Sequence, residues 1–171
     1  FICLALLFSI GSQSLFGIEK RIANWFLFNG GIIHLTMDGL TGGHHLLPLL
    51  YRNYCILDKR FLTDEPNSWV ITQIELFIMC PLCFVTYIAF RKNSIHRYAL
   101  AVAVSCLQMF GAIVFAGAEI FSNFPNVPVD RKFEFTKHHI LYFWFGYGAN
   151  LIWIFIPILI VIYSMKQISK C

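Results

Sequence analysis

Charge is what this sequence has least of. Only 13% of its 171 residues are Asp, Glu, Lys or Arg, where a soluble domain normally carries roughly 25%. With 58% hydrophobic residues, 17% aromatics and a mean hydropathy of +0.67, the deficit excludes an ordinary water-soluble domain and points to an all-α, polytopic membrane protein. The length suits one domain, residues 1–171. The net charge is +4 and the pI near 8.8. The 13 basic residues are spread over several loops, which fits topology signals and anionic lipid and argues against a nucleic-acid partner. No internal repeat or low-complexity tract is apparent.

Metal-ligand spacings are equally scarce. Cys80 and Cys83 form a CxxC, but inside an apolar run and without a second ligand pair. They read as small packing residues. His44-His45 and His138-His139 have no cysteine or carboxylate at zinc spacing, so no metal is expected. The sequence opens at Phe1 directly in apolar residues. Residues 1–16 resemble a signal-peptide core, but no basic segment precedes them and Ser12, Gln13 and Ser14 interrupt them. They read as a first membrane helix with an incomplete start.

What is present in abundance is apolar sequence of membrane-crossing length, ~20 residues per helix. Five segments approach it: 1–17, 22–41, 69–90, 98–121 and 138–165. This predicts a five-transmembrane-helix bundle. Ile18-Glu19-Lys20-Arg21 reads as a tight polar connector, 42–68 as a long polar link, and Ser68 as the N-cap of the third helix. Residues 91–97 form a short basic turn and 122–137 a second polar loop. One side then carries Lys20, Arg21, Arg91, Lys92, Arg97, Lys166 and Lys170 against the single acid Glu19, which places that side and the C-terminus in the cytoplasm. Trp25, Trp69, Tyr98, Tyr142 and Tyr163 fall near the expected interfaces, as an aromatic belt would.

Against this background a few polar residues stand out. In 23–43, ANWFLFNGGIIHLTMDGLTGG, His34 and Asp38 lie four apart and share a helix face. Ionisable groups in a membrane helix are costly and face a protein interior or a wet cavity. At ~1.5 Å per residue, Asp38 lies about 5 Å and His34 about 11 Å from the loop end of their helix, Glu75 about 9 Å, and Asn150 and Trp153 about 18 and 22 Å. With Thr72 they could line one pocket in the same half of the bilayer. Structural readings stand beside this: His34–Asp38 as a self-satisfied pair, Gln108 as a helix-to-helix hydrogen bonder, and Glu119 as an interfacial charge. An acid pair in an apolar cavity can retain a proton near neutral pH, an imidazole can relay it, and a tryptophan face stabilises a cation. That set suits moving a proton across a carbon–carbon double bond. It equally suits binding a hydrophobic amine.

The residues also carry a pattern. Leu141 to Pro157, LYFWFGYGANLIWIFIP, resembles the last helix of the emopamil-binding-protein family, the sterol Δ8–Δ7 isomerases, and Val104 to Gly111, VSCLQMFG, resembles its fourth. Tyr51-Arg52-Asn53-Tyr54 with Asp58-Lys59-Arg60-Phe61 resembles its luminal loop, and His34-Leu-Thr-Met-Asp38-Gly39 its His-x-x-x-Glu-Gly motif. The ordered set identifies a member of the superfamily of five-helix EXPERA domains. Two positions depart from the isomerase pattern. Asp38 replaces glutamate, and in helix three Thr72 precedes Glu75 where the family has glutamate first. Glu65-Pro66-Asn67-Ser68-Trp69 with Glu75 is similar instead to the sigma-2 receptor branch, which pairs an aspartate with that glutamate.

The resemblance implies a 3β-hydroxysterol isomerase of the endoplasmic reticulum membrane. Asp38 with His34 would donate a proton, Glu75 would remove one, Trp153 would stabilise the cation and Asn150 would orient a polar partner. Thr72, Gln108, Tyr147 and Glu119 would contact substrate. No cofactor is implied. Partners would be a sterol or a cationic amphiphile, membrane lipid, and either a homodimer or a larger membrane complex. The alternatives are a sigma-2-like binder without catalysis and a structural subunit retaining the fold.

Overall fold

The computed structural model describes residues 17–126 and 148–170, and these are helical without strands. Helix α1 (Gly17–Phe28) runs directly into a π-wound segment, Asn29–Gly43. Short helices α2 (Pro48–Leu57) and α3 (Lys59–Leu62) follow. Helix α4 (Pro66–Ile74) continues through a second π-wound segment, Glu75–Met79, into α5 (Cys80–Arg91). Helix α6 spans Arg97–Phe121, and α7 (Ile152–Ile168) follows a 3₁₀ turn at Ala149–Leu151. Residues 1–16, the loop from 127 and the first turns of the expected fifth helix, with His138, His139, Tyr142 and Tyr147, lie outside the described residues.

Three helices, Pro66–Arg91, Arg97–Phe121 and Ala149–Ile168, are long and apolar enough to cross a membrane. Gly17–Gly43, which carries Glu19, Lys20, Arg21 and Asp38, is not one of them. The outward faces are apolar: Phe77, Phe110, Phe155 and Leu159 are each more than 60% exposed. The inward faces of the same helices hold Thr72, Thr86, Ser105, Gln108 and Ser164. This inversion suits a lipid surround, where association rests on packing and interhelical hydrogen bonds. The apolar core gathers Ile22, Phe26 and Leu27 of α1, Tyr87 and Phe90 of α5, Val104 of α6 and Ile160 of α7 near the 91–97 turn. The other half of the bundle is left for a cavity.

Three local expectations change. Residues 18–21 are not a connector but the first turn of α1, which starts at Gly17 in the left-handed region (φ 64°). Glu19 is held there by the Tyr98 hydroxyl and lies 3.7 Å from Arg97. Ser68 is not the cap of α4. Pro66 occupies the first turn, and the Glu65 carboxylate accepts from Ser68 N at 2.8 Å. Those backbone hydrogen bonds outweigh partial burial and hold the Glu65 carboxyl below its usual value. Trp25 is no belt residue, since its indole turns inward to Gln108.

The long π segment has its own logic. Thr36 Oγ1 donates to Gly31 O and Thr41 Oγ1 to Thr36 O, both five residues back at 2.8 Å, matching the i→i+5 backbone pattern. The winding also lets helices touch. A Cβ on Gly39 would meet Leu76 Cδ1 at 2.5 Å. Gly30 carries Cys83 Cβ at 3.0 Å from the same imagined atom, and Cys80 Sγ lies 3.4 Å from Gly30 O. Cys80 and Cys83 are free thiols packed in this contact.

Candidate functional site

The close crossing at Gly39 brings Asp38 beside Glu75. His34, Asp38 and Glu75 each present a donor atom, all within 4.8 Å of one another. They line a cavity of about 230 Å³ together with Thr72, Gln108, Asn150 and Trp153. The six residues gathered from depth and spacing thus meet around one hollow, and Gln108 joins them. Ile33, Met37, Ile71, Met79, Ala112 and Phe115 make its walls apolar.

The imidazole of His34 is almost fully buried and its Nδ1 lies 3.2 Å from Asp38 Oδ2. Asp38 retains some exposure, 23%, toward the hollow. The pair stays on one face despite the π winding, because a four-residue step falls just short of one turn there as it slightly exceeds one turn in an α-helix. Glu75 starts the second π segment, and its backbone carbonyl accepts from Cys80 N. One imidazole and two carboxylates at this separation could hold a divalent ion as well as a shared proton.

At the floor, farthest from the short helices, Gln108 Oε1 accepts from Trp25 Nε1 at 3.2 Å and Gln108 Nε2 lies 3.5 Å from His34 Nε2. Trp153 Nε1 donates to Asn29 Oδ1 at 2.6 Å, and Asn29 Nδ2 donates to Trp25 O at 2.8 Å. Asn29 is completely buried. Its grip fixes the indole of Trp153, whose rings sit 6.2 Å from those of Trp25. Asn150 lies on the 3₁₀ turn that precedes α7. Pro157, four residues after Trp153, removes a backbone hydrogen bond from that stretch.

At the rim, α2 and α3 lie across the opening with Tyr54, Asp58 and Phe61. Burial pushes the Tyr54 phenol well above its usual range, and the Asp38 and Glu75 carboxylates add to the shift. The neutral form of the Tyr54 phenol is thus the one favoured beside the two acids. Asp58 is clamped by the buried Arg60, whose Nε donates to Asp58 Oδ2 at 2.9 Å and whose Nη1 donates to Phe115 O at 2.8 Å. The guanidinium also stacks 3.7 Å over the Phe115 ring. This ties the short helices to α6.

One of the expected contacts falls elsewhere. Glu119 does not line the cavity. Its carboxylate is buried and accepts from the backbone and side chain of Asn126 at 2.9 Å, closing the turn after α6. Tyr147 lies outside the described residues. Thr72 does line the cavity, but its hydroxyl donates to Trp69 O at 2.8 Å. Trp25, Asn29 and Tyr54 were not among the expected site residues. Tyr54 had a signal in the Tyr51-Arg-Asn-Tyr54 run. Trp25 and Asn29 had only their own i,i+4 spacing.

The family model EXPERA (EXPanded EBP superfamily) matches residues 46–164, more than half of the chain. The 3-beta-hydroxysteroid-Delta(8),Delta(7)-isomerase of Rattus norvegicus is 25% identical over 163 residues, 90% of this chain and 67% of that protein. That of Cavia porcellus is 23% identical over 160 residues, 88% and 66%. Protoglabretal synthase MOI1 of Citrus sinensis is 22% identical over 158 residues, 87% and 70%. The chain spans about two thirds of the length of these relatives.

Proposed function

The chain belongs to the EXPERA superfamily, and on that premise we propose that it is an intramembrane sterol isomerase that moves a ring double bond from Δ8 to Δ7. The observation that carries the reading is a pair of carboxylates and an imidazole gathered opposite a fixed tryptophan in one apolar cavity. A sterol would enter from the bilayer. Asp38, working with His34, delivers a proton to C9 of the C8=C9 bond and leaves a cation at C8. The Trp153 face stabilises that cation. Glu75 takes a proton from C7, and the electron pair of that bond becomes C7=C8. One proton is gained and one lost, so no oxidant or reductant takes part. Asn150 orients the substrate, and Thr72 and Gln108 shape its bed.

The three composition-defined spans extend, in this reading, to the five of a single EXPERA-type domain, with Gly17–Gly43 as a fourth that carries the site on its inner face. The membrane is that of the endoplasmic reticulum, with the C-terminus cytoplasmic. The test is expression of the chain in cells lacking sterol Δ8–Δ7 isomerase, with the Δ8:Δ7 sterol ratio as readout. Conversion is expected, and folded protein without conversion would overturn the reading. A second reading rests on the two carboxylates meeting no Lys or Arg among the described residues that line the cavity: a ligand ammonium could sit between them, against Trp153. Asp38→Asn would then abolish amine binding by a chain that turns over no sterol.

A further inference from the structure

Behind the cavity, rather than in it, a residue of α1 reaches the site through α6. Trp25 Nε1 lies 3.2 Å from Gln108 Oε1, Gln108 Nε2 lies 3.5 Å from His34 Nε2, and His34 Nδ1 lies 3.2 Å from Asp38 Oδ2. The Trp25 end of this chain is chemically one-sided. An indole N–H only donates. The bonds that lead away from it must therefore run in one direction. Gln108 turns its oxygen to Trp25 and its amide hydrogens to His34. Nε2 of His34 then accepts, and the ring proton sits on Nδ1, aimed at Asp38.

We propose that Trp25 is a positioning residue that, through Gln108, holds His34 as the neutral Nδ1–H tautomer and closes its Nε2 to protons. The catalytic consequence rests on the isomerase reading: proton exchange is confined to the side of the imidazole that faces Asp38, Glu75 and the cavity. The titratable groups that line the cavity with His34 are Asp38 on its own segment, Glu75 from the segment between α4 and α5, Tyr54 from α2, and Asp58, which joins α2 to α3 and is clamped by Arg60. Among the described residues, α6, α7 and the 3₁₀ turn before α7 present only the neutral Gln108, Trp153 and Asn150 to the cavity among its polar lining. The Gln108 amide is the group that Nε2 meets among the described residues, at 3.5 Å. Without the Trp25 N–H, Gln108 loses its reason to keep its oxygen turned away, and a rotated amide would accept from Nε2–H.

The test reads the ring nitrogens directly. Full-length chain labelled with ¹⁵N-histidine is placed in lipid nanodiscs, and His34 is assigned by its loss in His34→Gln. At neutral pH the wild type is expected to show a protonated Nδ1 and an unprotonated Nε2. Trp25→Phe, which keeps a ring beside Trp153, is expected to give a mixture with the Nε2–H form. In Gln108→Glu, whose carboxylate accepts from both neighbours, Nε2 is expected to carry a proton. Should Trp25→Phe fail to fold, Gln108→Glu alone carries the comparison. An Nε2–H tautomer in the wild type, or unchanged ring nitrogens in the folded variants, overturns the proposal. The readout is a tautomer and not turnover, so its failure is distinct from failure of the sterol assay. If the sterol assay succeeds, kcat of Trp25→Phe is expected to fall with KM unchanged.

Discussion

At the floor of the cavity and behind it, Gln108 and Trp153 are tied to Trp25 and Asn29 by hydrogen bonds of 2.6 to 3.2 Å. At the rim, Asp38 and Glu75 approach each other, and His34 Nδ1 lies 3.2 Å from Asp38 Oδ2. Groups that cannot titrate are fixed, and groups that carry protons are left able to exchange them. A site that orients a ring system and then moves a proton needs that division. Uniform rigidity would strand the proton, and uniform freedom would lose the alignment that proximity effects require.

The largest break is at the rim. Asp38→Asn and Glu75→Gln are each expected to lower isomerisation about 10²- to 10⁴-fold while leaving the melting temperature near the wild-type value, as sterol profiling and thermal unfolding in detergent would show. Next comes the strap above it. Arg60→Ala leaves Asp58 buried without its partner, an expected loss of about 3–5 kcal/mol, and Asp58→Asn in the same chain should recover part of it. The floor should respond more mildly. Asn29→Leu strands the indole N–H of Trp153, costing about 1–3 kcal/mol, and Trp153→Phe added to it should cost less stability than Trp153→Phe alone. The smallest effect lies outside the comparison, at the cap of α4. Glu65 has a lowered folded value, so its contribution is present above its usual 4.5 and fades as pH falls through the folded value. Glu65→Ala should cost up to about 1 kcal/mol near neutral pH and nothing in acid, by melting temperature across a pH series.

Much of this was legible because an ionisable group inside an apolar helix has few places to go. His34, Asp38, Thr72, Glu75, Asn150 and Trp153 converge because burial in lipid would be expensive, and spacing alone records that pressure. The family pattern added order to the set. What the residues did not disclose depends on partners far along the chain. Glu19 extends α1 across the supposed connector because Tyr98 and Arg97 wait for it. Trp25 leaves the interface because Gln108, 83 residues on, accepts its N–H. Glu119 serves a turn rather than a substrate because Asn126 folds back on it. The π winding was invisible for another reason: hydropathy is nearly blind to whether a ring closes over four residues or five.

That winding leaves the molecule with slack. A helix that closes each ring over one residue more gains less height per residue, so the chain arrives at Gly43 having spent extra length on Asn29–Gly43. Removing a single residue from its far end, between Leu40 and Gly43, could be absorbed by local rewinding to ordinary α geometry, with the flanking helices left where they are. The same deletion in α6, which is α-helical from Arg97 to Phe121, would rotate everything beyond it by about 100°. Tolerance to lost residues is therefore concentrated in the segment that carries His34 and Asp38.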